Sequence, residues 1–423
     1  MNSWTVTALG DVLTVKHGYA FKGQYFDQGG TVRLVTPGNF HERGGFRDRG
    51  AAQRSYVGPV PTDYLLSPRS LVTAMTEQSS GLLGSAALIP DDDFTWLHNQ
   101  RIGLVVPRQG AAYKNYIYYL FNSPAIRDRL SETATGTKVR HTAPNRIEAI
   151  CIQLPPYVDQ RRIAVILAAF DELIEINERR IELLEDLARS LYREWFVHFR
   201  FPGHDTVELI ESERGPIPAG WKIRPLDDVA AVNRESIKAV NIPDPFLYLD
   251  ISAVGVGGFE VPSVRPAAEA PGRARRRASD GDIVWATVRP NRRAHAQIHN
   301  PPPNLVVSTG LAVLSPVAVP PSFLFEYTAS EAFSSYLVGR ASGSAYPAVR
   351  PKDFGNAPVV VPPQSLLERF DATVDPIQRL RSDLRRQNQQ FASTRDLLLP
   401  RLVTGRLDIS DVDLGVLTPA EIE

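Results

Sequence analysis

A chain of 423 residues exceeds what one ordinary hydrophobic core organises, so two or more domains are expected. The hydrophobic fraction of 43% is that of a globular protein, no run of 18 apolar residues occurs, and the start MNSWTVTALGDV lacks a basic and an apolar leader region, which argues against membrane insertion and secretion and predicts a cytoplasmic protein. The 47 basic residues balance the 47 acidic ones, and the single Cys151 excludes an internal disulfide and a cysteine zinc site.

In chain order, residues 1–156 mix short β-rich runs with turns. Val32–Val35, Leu71–Ala74, Ala86–Ile89 and Ile102–Val106 read as strands bounded by Gly, Pro and Asp. Tyr113–Asn122 and Ala125–Leu130 read as short helices, with Ser123-Pro124 as the break between them. A Gly-centred basic loop (TATGTKVRHTAP) and an apolar strand ending at a double proline follow, and Cys151 in that strand is expected to be a small buried hydrophobe. The tyrosines 113, 116, 118 and 119 sit at helical spacing in an apolar segment and read as core rather than as base-stacking platforms.

Residues 157–201 carry a seven-residue repeat. Ile163, Leu167, Phe170, Ile174, Asn177, Ile181, Leu184, Ala188, Leu191 and Trp195 alternate spacings of four and three, which predicts a long helix with a coiled-coil seam. About 37 helical residues would span roughly 55 Å, longer than a single domain needs.

The region 202–220 is a Pro/Gly/acid-rich linker, and the pattern of the first domain then returns over 221–362. Trp4, Leu9, Asp11, Val12 and Val15 recur as Trp221, Leu226, Asp228, Val229 and Val232, all at a shift of 217. Ala134, Gly136, Pro144, Pro155 and Pro156 recur as Ala341, Gly343, Pro351, Pro362 and Pro363, all at a shift of 207. This predicts a tandem duplication of an α/β (α+β) domain whose copies differ by about ten residues of loop. Trp4 and Trp221 read as packing anchors. The duplication includes the helix, because Phe370, Ile377, Leu384, Phe391 and Leu398 in 363–405 sit at the shift of 207 from Ile163, Phe170, Asn177, Leu184 and Leu191. Two helices of matching period predict an antiparallel coiled coil, with Asn177 and the polar pair Gln387 and Asn388 fixing register. Pro376 predicts a kink or a short lead-in helix, and 406–423 reads as an acidic tail.

Catalytic signatures are weak. Asn300-Pro301-Pro302-Pro303 resembles an amino-methyltransferase motif without its aromatic residue, and Gly255-Val256-Gly257-Gly258 is followed by no helix that could complete a phosphate site. His295 and His299 lack a third metal ligand nearby and read as a surface pair. The charge pattern says more. Residues 1–155 and 214–362 each carry net +4, whereas the connecting and terminal segments are acidic, so the whole-chain sum hides two basic domains. Loop clusters supply the charge: Arg43, Arg47, Arg49 and Arg54, then Lys138, Arg140 and His141 in the first copy; Arg273, Arg275, Arg276 and Arg277, then Arg289, Arg292 and Arg293 in the second. Arginine on a loop reaches phosphates and reads guanine edges, so these residues are candidate DNA contacts.

The order domain, helix, domain, helix, with DQRRIAVILAAFDELIEINERRIELLEDLARSLYREWFVHFRFPG, the ending LLLPRLVTGRL, the repeat starts WTVTALGDVLTVKHGYAFKG and WKIRPLDDVAAV, and the domain ends GTKVRHTAPNRIEAICIQLPP and GSAYPAVRPKDFGNAPVVVPP, resembles the specificity subunit of type I DNA restriction-modification systems. The resemblance implies two target recognition domains, each reading one half of a bipartite double-stranded DNA target, and two helices that set the spacer. It implies no catalytic centre and no cofactor in this chain. S-adenosylmethionine, ATP and magnesium would belong to partners, namely two methyltransferase subunits and, through them, restriction subunits. Trp195 and Phe196 are expected on a docking surface for the methyltransferase subunits. The alternatives are a self-contained methyltransferase or nuclease with degenerate motifs, and a coiled-coil scaffold that does not bind DNA.

Overall fold

A computed structural model describes residues 4–77, 81–137 and 139–409. The chain divides into two units, one of residues 1–174 with 390–423 and one of residues 175–389.

In the first unit, Thr5–Ala8 pairs antiparallel with Cys151–Leu154, which ties the domain's beginning to its end. Leu13–His17, Ile102–Pro107, Leu71–Ala74 and Ala86–Leu88 form an antiparallel sheet in that order. A five-stranded mixed sheet lies beside them in the chain's topology, with Val32–Val35 parallel to Thr95–His98. The helices Lys114–Asn122 and Pro124–Glu132 break at Ser123 as expected, because proline favours the first helical position. Tyr116, Tyr119, Ile117 and Phe121 are buried with Leu9, Leu13 and Ile147, so Tyr116 and Tyr119 are core, while Tyr113 and Tyr118 are half-buried against it.

The second unit repeats this plan. Lys222–Pro225 pairs antiparallel with Pro358–Val361, and Ala230–Val232, Leu311–Pro316, Ile283–Ala286 and His295–Gln297 form the equivalent sheet. Phe246–Leu249 runs parallel to Leu305–Ser308, as Val32–Val35 does to Thr95–His98. The helices beginning at Pro321 and Glu331 stand 207 residues after those beginning at Lys114 and Pro124, and Pro351–Gly355 stands 207 after Pro144–Glu148. Trp285 and Phe323, Phe333, Phe354 and Phe370 are fully buried at its centre.

The first long helix runs Tyr157–Tyr192 and closes in a π-helical turn, Arg193–Val197; the second runs Gln364–Val403. Their pairing is antiparallel in each unit. In the first, Ile163, Ala164 and Leu167 join Leu399, Leu402 and Val403 in one core, Phe170 meets Phe391 at 6.4 Å between ring centres, and Asp171 pairs with Arg395. In the second, Asn177 donates to Asn388 at 2.9 Å across the seam, Glu185 takes both Arg381 and Arg385, and Tyr192 packs against Phe370.

Three expectations are corrected. Of the two outcomes expected at Pro376, a separate lead-in helix is absent: the second helix is continuous through Pro376, because the packing of Phe370, Val374 and Gln378 outweighs the one lost backbone bond. Cys151 is exposed: its strand alternates, with Ile152 and Leu154 inward and Cys151 outward. Phe196 is buried between Phe323, Phe370 and Trp221, and Trp195 leans on Phe370, so this pair belongs to the second unit's core and does not form an outward docking face. The Gly255–Gly258 turn also finds its reason here. The Gly257 carbonyl accepts from Arg385, and a Cβ on Gly258 would stand 2.8 Å from that guanidinium, so the glycines permit close approach to the helix.

Candidate nucleic-acid interface

In the first unit, four of the candidate arginines ride on the segment 43–54. A buried amide pair pins it at both ends: Asn39 donates to Gln53 at 2.6 Å and to the Arg47 carbonyl, and Gln53 donates to the Leu34 carbonyl at 2.8 Å. Asn39 and Gln53 were not singled out in the sequence, since a polar residue between turns gives no sign of burial. Gly44 has φ +93, and a Cβ there would strike the Asn122 side chain at 2.2 Å. On this frame Arg47 and Arg54 are exposed, with Arg54 over the Phe26 ring; Arg49 is half-buried against Gly38. Arg43 is exposed and bonds Asp396 at 3.0 Å.

The second basic loop of this copy divides. Lys138 lies outside the described residues. His141 is exposed, 3.2 Å from the Thr135 hydroxyl. Arg140 turns inward: it bonds the buried Glu77 carboxylate at 3.0 Å and the Ser131 hydroxyl at 2.8 Å. Glu77 also accepts from the backbone N–H groups of Gly81, Leu82 and Leu83. Arg140 is therefore a structural strut and is withdrawn as a DNA contact.

In the second unit Arg273 is exposed on the rim of a cleft lined by Tyr248, Asp250, Ser252, Glu260 and Arg265. Arg275 and Arg277 are half-buried. Arg276 donates to the Leu311 carbonyl and Arg293 to the Ala329 carbonyl, so both are tied to the backbone and withdrawn likewise. Arg292 is exposed. Arg289 stands 4.7 Å over the ring of Tyr346, an exposed aromatic residue missed in the sequence. The position of Tyr346 was nonetheless readable, because it falls in the copy-two counterpart of the Gly136 loop.

His295 is not the surface residue that the sequence suggested. It is buried against Trp285, its Nδ1 lies 2.6 Å from the Arg293 carbonyl, and burial pushes its pKa down to about 4. Among the described residues no group of three His, Cys, Asp or Glu side chains is placed to hold a metal, and no helix is long and apolar enough to cross a membrane. The arrangement that remains is a set of exposed arginines on backbone-braced loops in each unit, suited to phosphates and base edges.

Residues 1–186 match the sequence model of the family described as type I restriction modification DNA specificity domain. The type I restriction enzyme MjaIX specificity subunit of Methanocaldococcus jannaschii is 25% identical over 321 residues, covering 74% of this chain and 73% of that protein. The MjaVIII specificity subunit of the same organism is 25% identical over 305 residues, covering 70% and 71%. The crystal structure of the type I restriction-modification S subunit from M. genitalium superposes with a TM-score of 0.59 at 15% identity, covering 96% of this chain and 97% of that one; this likeness concerns the fold.

Proposed function

Starting from the chain as a type I restriction-modification specificity subunit, we propose that each of its globular parts reads one half of a bipartite duplex DNA target, and that the paired long helices set the spacer between the halves. The observation that carries this reading is the duplicated α/β frame presenting exposed arginines on braced loops, Arg47 and Arg54 in one copy and Arg273 and Arg292 in the other. Exposed arginines supply the salt-dependent phosphate attraction and, in a groove, the bidentate reading of guanine. The frame is common to both copies while the loops differ, which two unlike half-sites require.

Chemistry belongs to partners in this reading. Two methyltransferase subunits using S-adenosylmethionine, and restriction subunits using ATP and magnesium, assemble on a chain that itself has no catalytic role. The docking face moves from Trp195 and Phe196 to the first long helix, where Ile176, Leu183 and Leu187 are exposed at spacings of seven and four. That spacing puts them on one apolar stripe facing away from the seam residues Asn177, Ile181 and Ala188. Footprinting of the assembled complex on its target tests the proposal. Two protected stretches separated by an unprotected one are expected; one continuous stretch, or none, would reject it.

A further inference from the structure

We propose that two equivalent hairpins, at 135–141 and 342–348, are the base-reading tips of the two halves, and that Val139 and Tyr346 set base choice in them. The inference rests on the reading above and assigns residues to it. Both hairpins close on a glycine at φ +102, Gly136 and Gly343. Thr135 and His141 exchange backbone bonds of 3.0 and 2.9 Å, and Ser342 and Ala348 do the same at 3.0 and 2.9 Å. A Cβ on Gly136 would stand 2.2 Å from the Val139 carbonyl, and one on Gly343 would stand 3.2 Å from that of Tyr346, so both turns need glycine.

Each hairpin is zipped at its base to a neighbouring loop. Thr142 donates to Met75 and Arg140 bonds Glu77 in the first unit; Val349 donates to Thr287 and Arg289 N–H to Pro347 in the second. These bonds fix the base of each hairpin, and two apolar side chains beyond it are turned to solvent: Val139 is 40% exposed and Tyr346 69%. Behind Tyr346 the backbone holds two non-glycine residues in the left-handed region, Arg289 and Arg293, both at φ +55. Such conformations cost on the order of 1–3 kcal/mol each and persist where the surroundings enforce them. Here they bring the Arg289 guanidinium over the Tyr346 ring at 4.7 Å.

A braced hairpin with a ring backed by a fork-shaped cation fits a base step: the ring stacks or meets a thymine methyl, and the guanidinium meets guanine O6 and N7. Valine at the equivalent tip offers methyl contacts only. The same frame thus carries two different readers.

The test uses the full chain co-expressed with its modification subunits and selection of bound duplexes from a random pool. Tyr346→Ala is expected to cut discrimination about tenfold at one or two positions of one half-site, leaving the other half-site and the thermal midpoint unchanged. Tyr346→Phe should keep the wild-type preference, Arg289→Ala should blur the same positions as Tyr346→Ala, and Val139→Ala should blur positions in the other half-site. Unchanged selection by Tyr346→Ala and Val139→Ala, with a bipartite wild-type consensus, would overturn this assignment alone. A wild-type complex that selects no bipartite consensus would overturn the underlying reading and the assignment with it.

Discussion

Arg140 and Arg292 carry the same charge on loops of similar composition, but only Arg292 faces outward. Arg140→Ala removes the cation from a buried carboxylate that still keeps three backbone donors, so unfolding stability should fall by about 1–3 kcal/mol while phosphate affinity stays. Arg292→Ala should leave the urea midpoint in place and lower the salt slope of DNA binding by about one. Equal midpoints for the two variants would show that Arg140 is no strut. His295 gives a pH prediction. The folded protein holds it neutral down to about pH 4, chiefly through burial and with Arg293 and Arg381 adding repulsion, whereas the unfolded chain takes up its proton near 6.5. Between those values the unfolded state binds more protons, so its contribution is complete above about pH 6.5 and is lost as pH falls toward 4, by about 3 kcal/mol. His295→Gln should flatten that part of the stability profile; an unchanged slope would place the acid sensitivity elsewhere. At this scale the sequence showed which residues were charged and clustered. It could not show which guanidiniums meet backbone carbonyls or a buried glutamate, because those partners lie far away in the chain.

The long helices were the most legible elements, since a seven-residue apolar repeat constrains both period and seam. Even the polar entry was readable: Asn177 meets Asn388, one of the two residues named for it. Asn177→Leu alone strips Asn388 of a bond within the seam and should cost about 1 kcal/mol, whereas Asn177→Leu with Asn388→Leu should recover or exceed the starting stability. A double-mutant cycle by urea unfolding measures this, and additive effects would show that the two amides do not act as a pair. Pro376 and the Trp195-Phe196 pair were misread for one reason. Local rules weigh a proline by its missing N–H and an aromatic pair by its solvent cost, while the outcome was set by tertiary packing, of Phe370, Val374 and Gln378 near the proline and of Trp221, Phe323 and Phe370 around Phe196, which periodicity cannot foresee.

For the whole molecule, neutrality concealed the organisation. Two domains of net +4 are balanced by acidic connectors and helices, and the duplication, read from constant shifts, is what suggested the boundaries for such a count. The strand order inside each copy was not readable in this way, because the loops that carry the ten-residue length difference also carry the unequal turns. The duplication gives the sharpest test of the spacer proposal. Removing one heptad from both helices keeps each seam in phase and shortens the pair by about 10 Å. At about 3.4 Å per base pair, the preferred spacer should contract by roughly three base pairs with the half-site sequences unchanged. Removing the heptad from one helix only should instead mismatch the seam and lower the thermal midpoint. Selection of duplexes by the doubly shortened protein reads the outcome directly. A spacer of the original length would mean that the helices join the two copies without measuring the DNA between their targets.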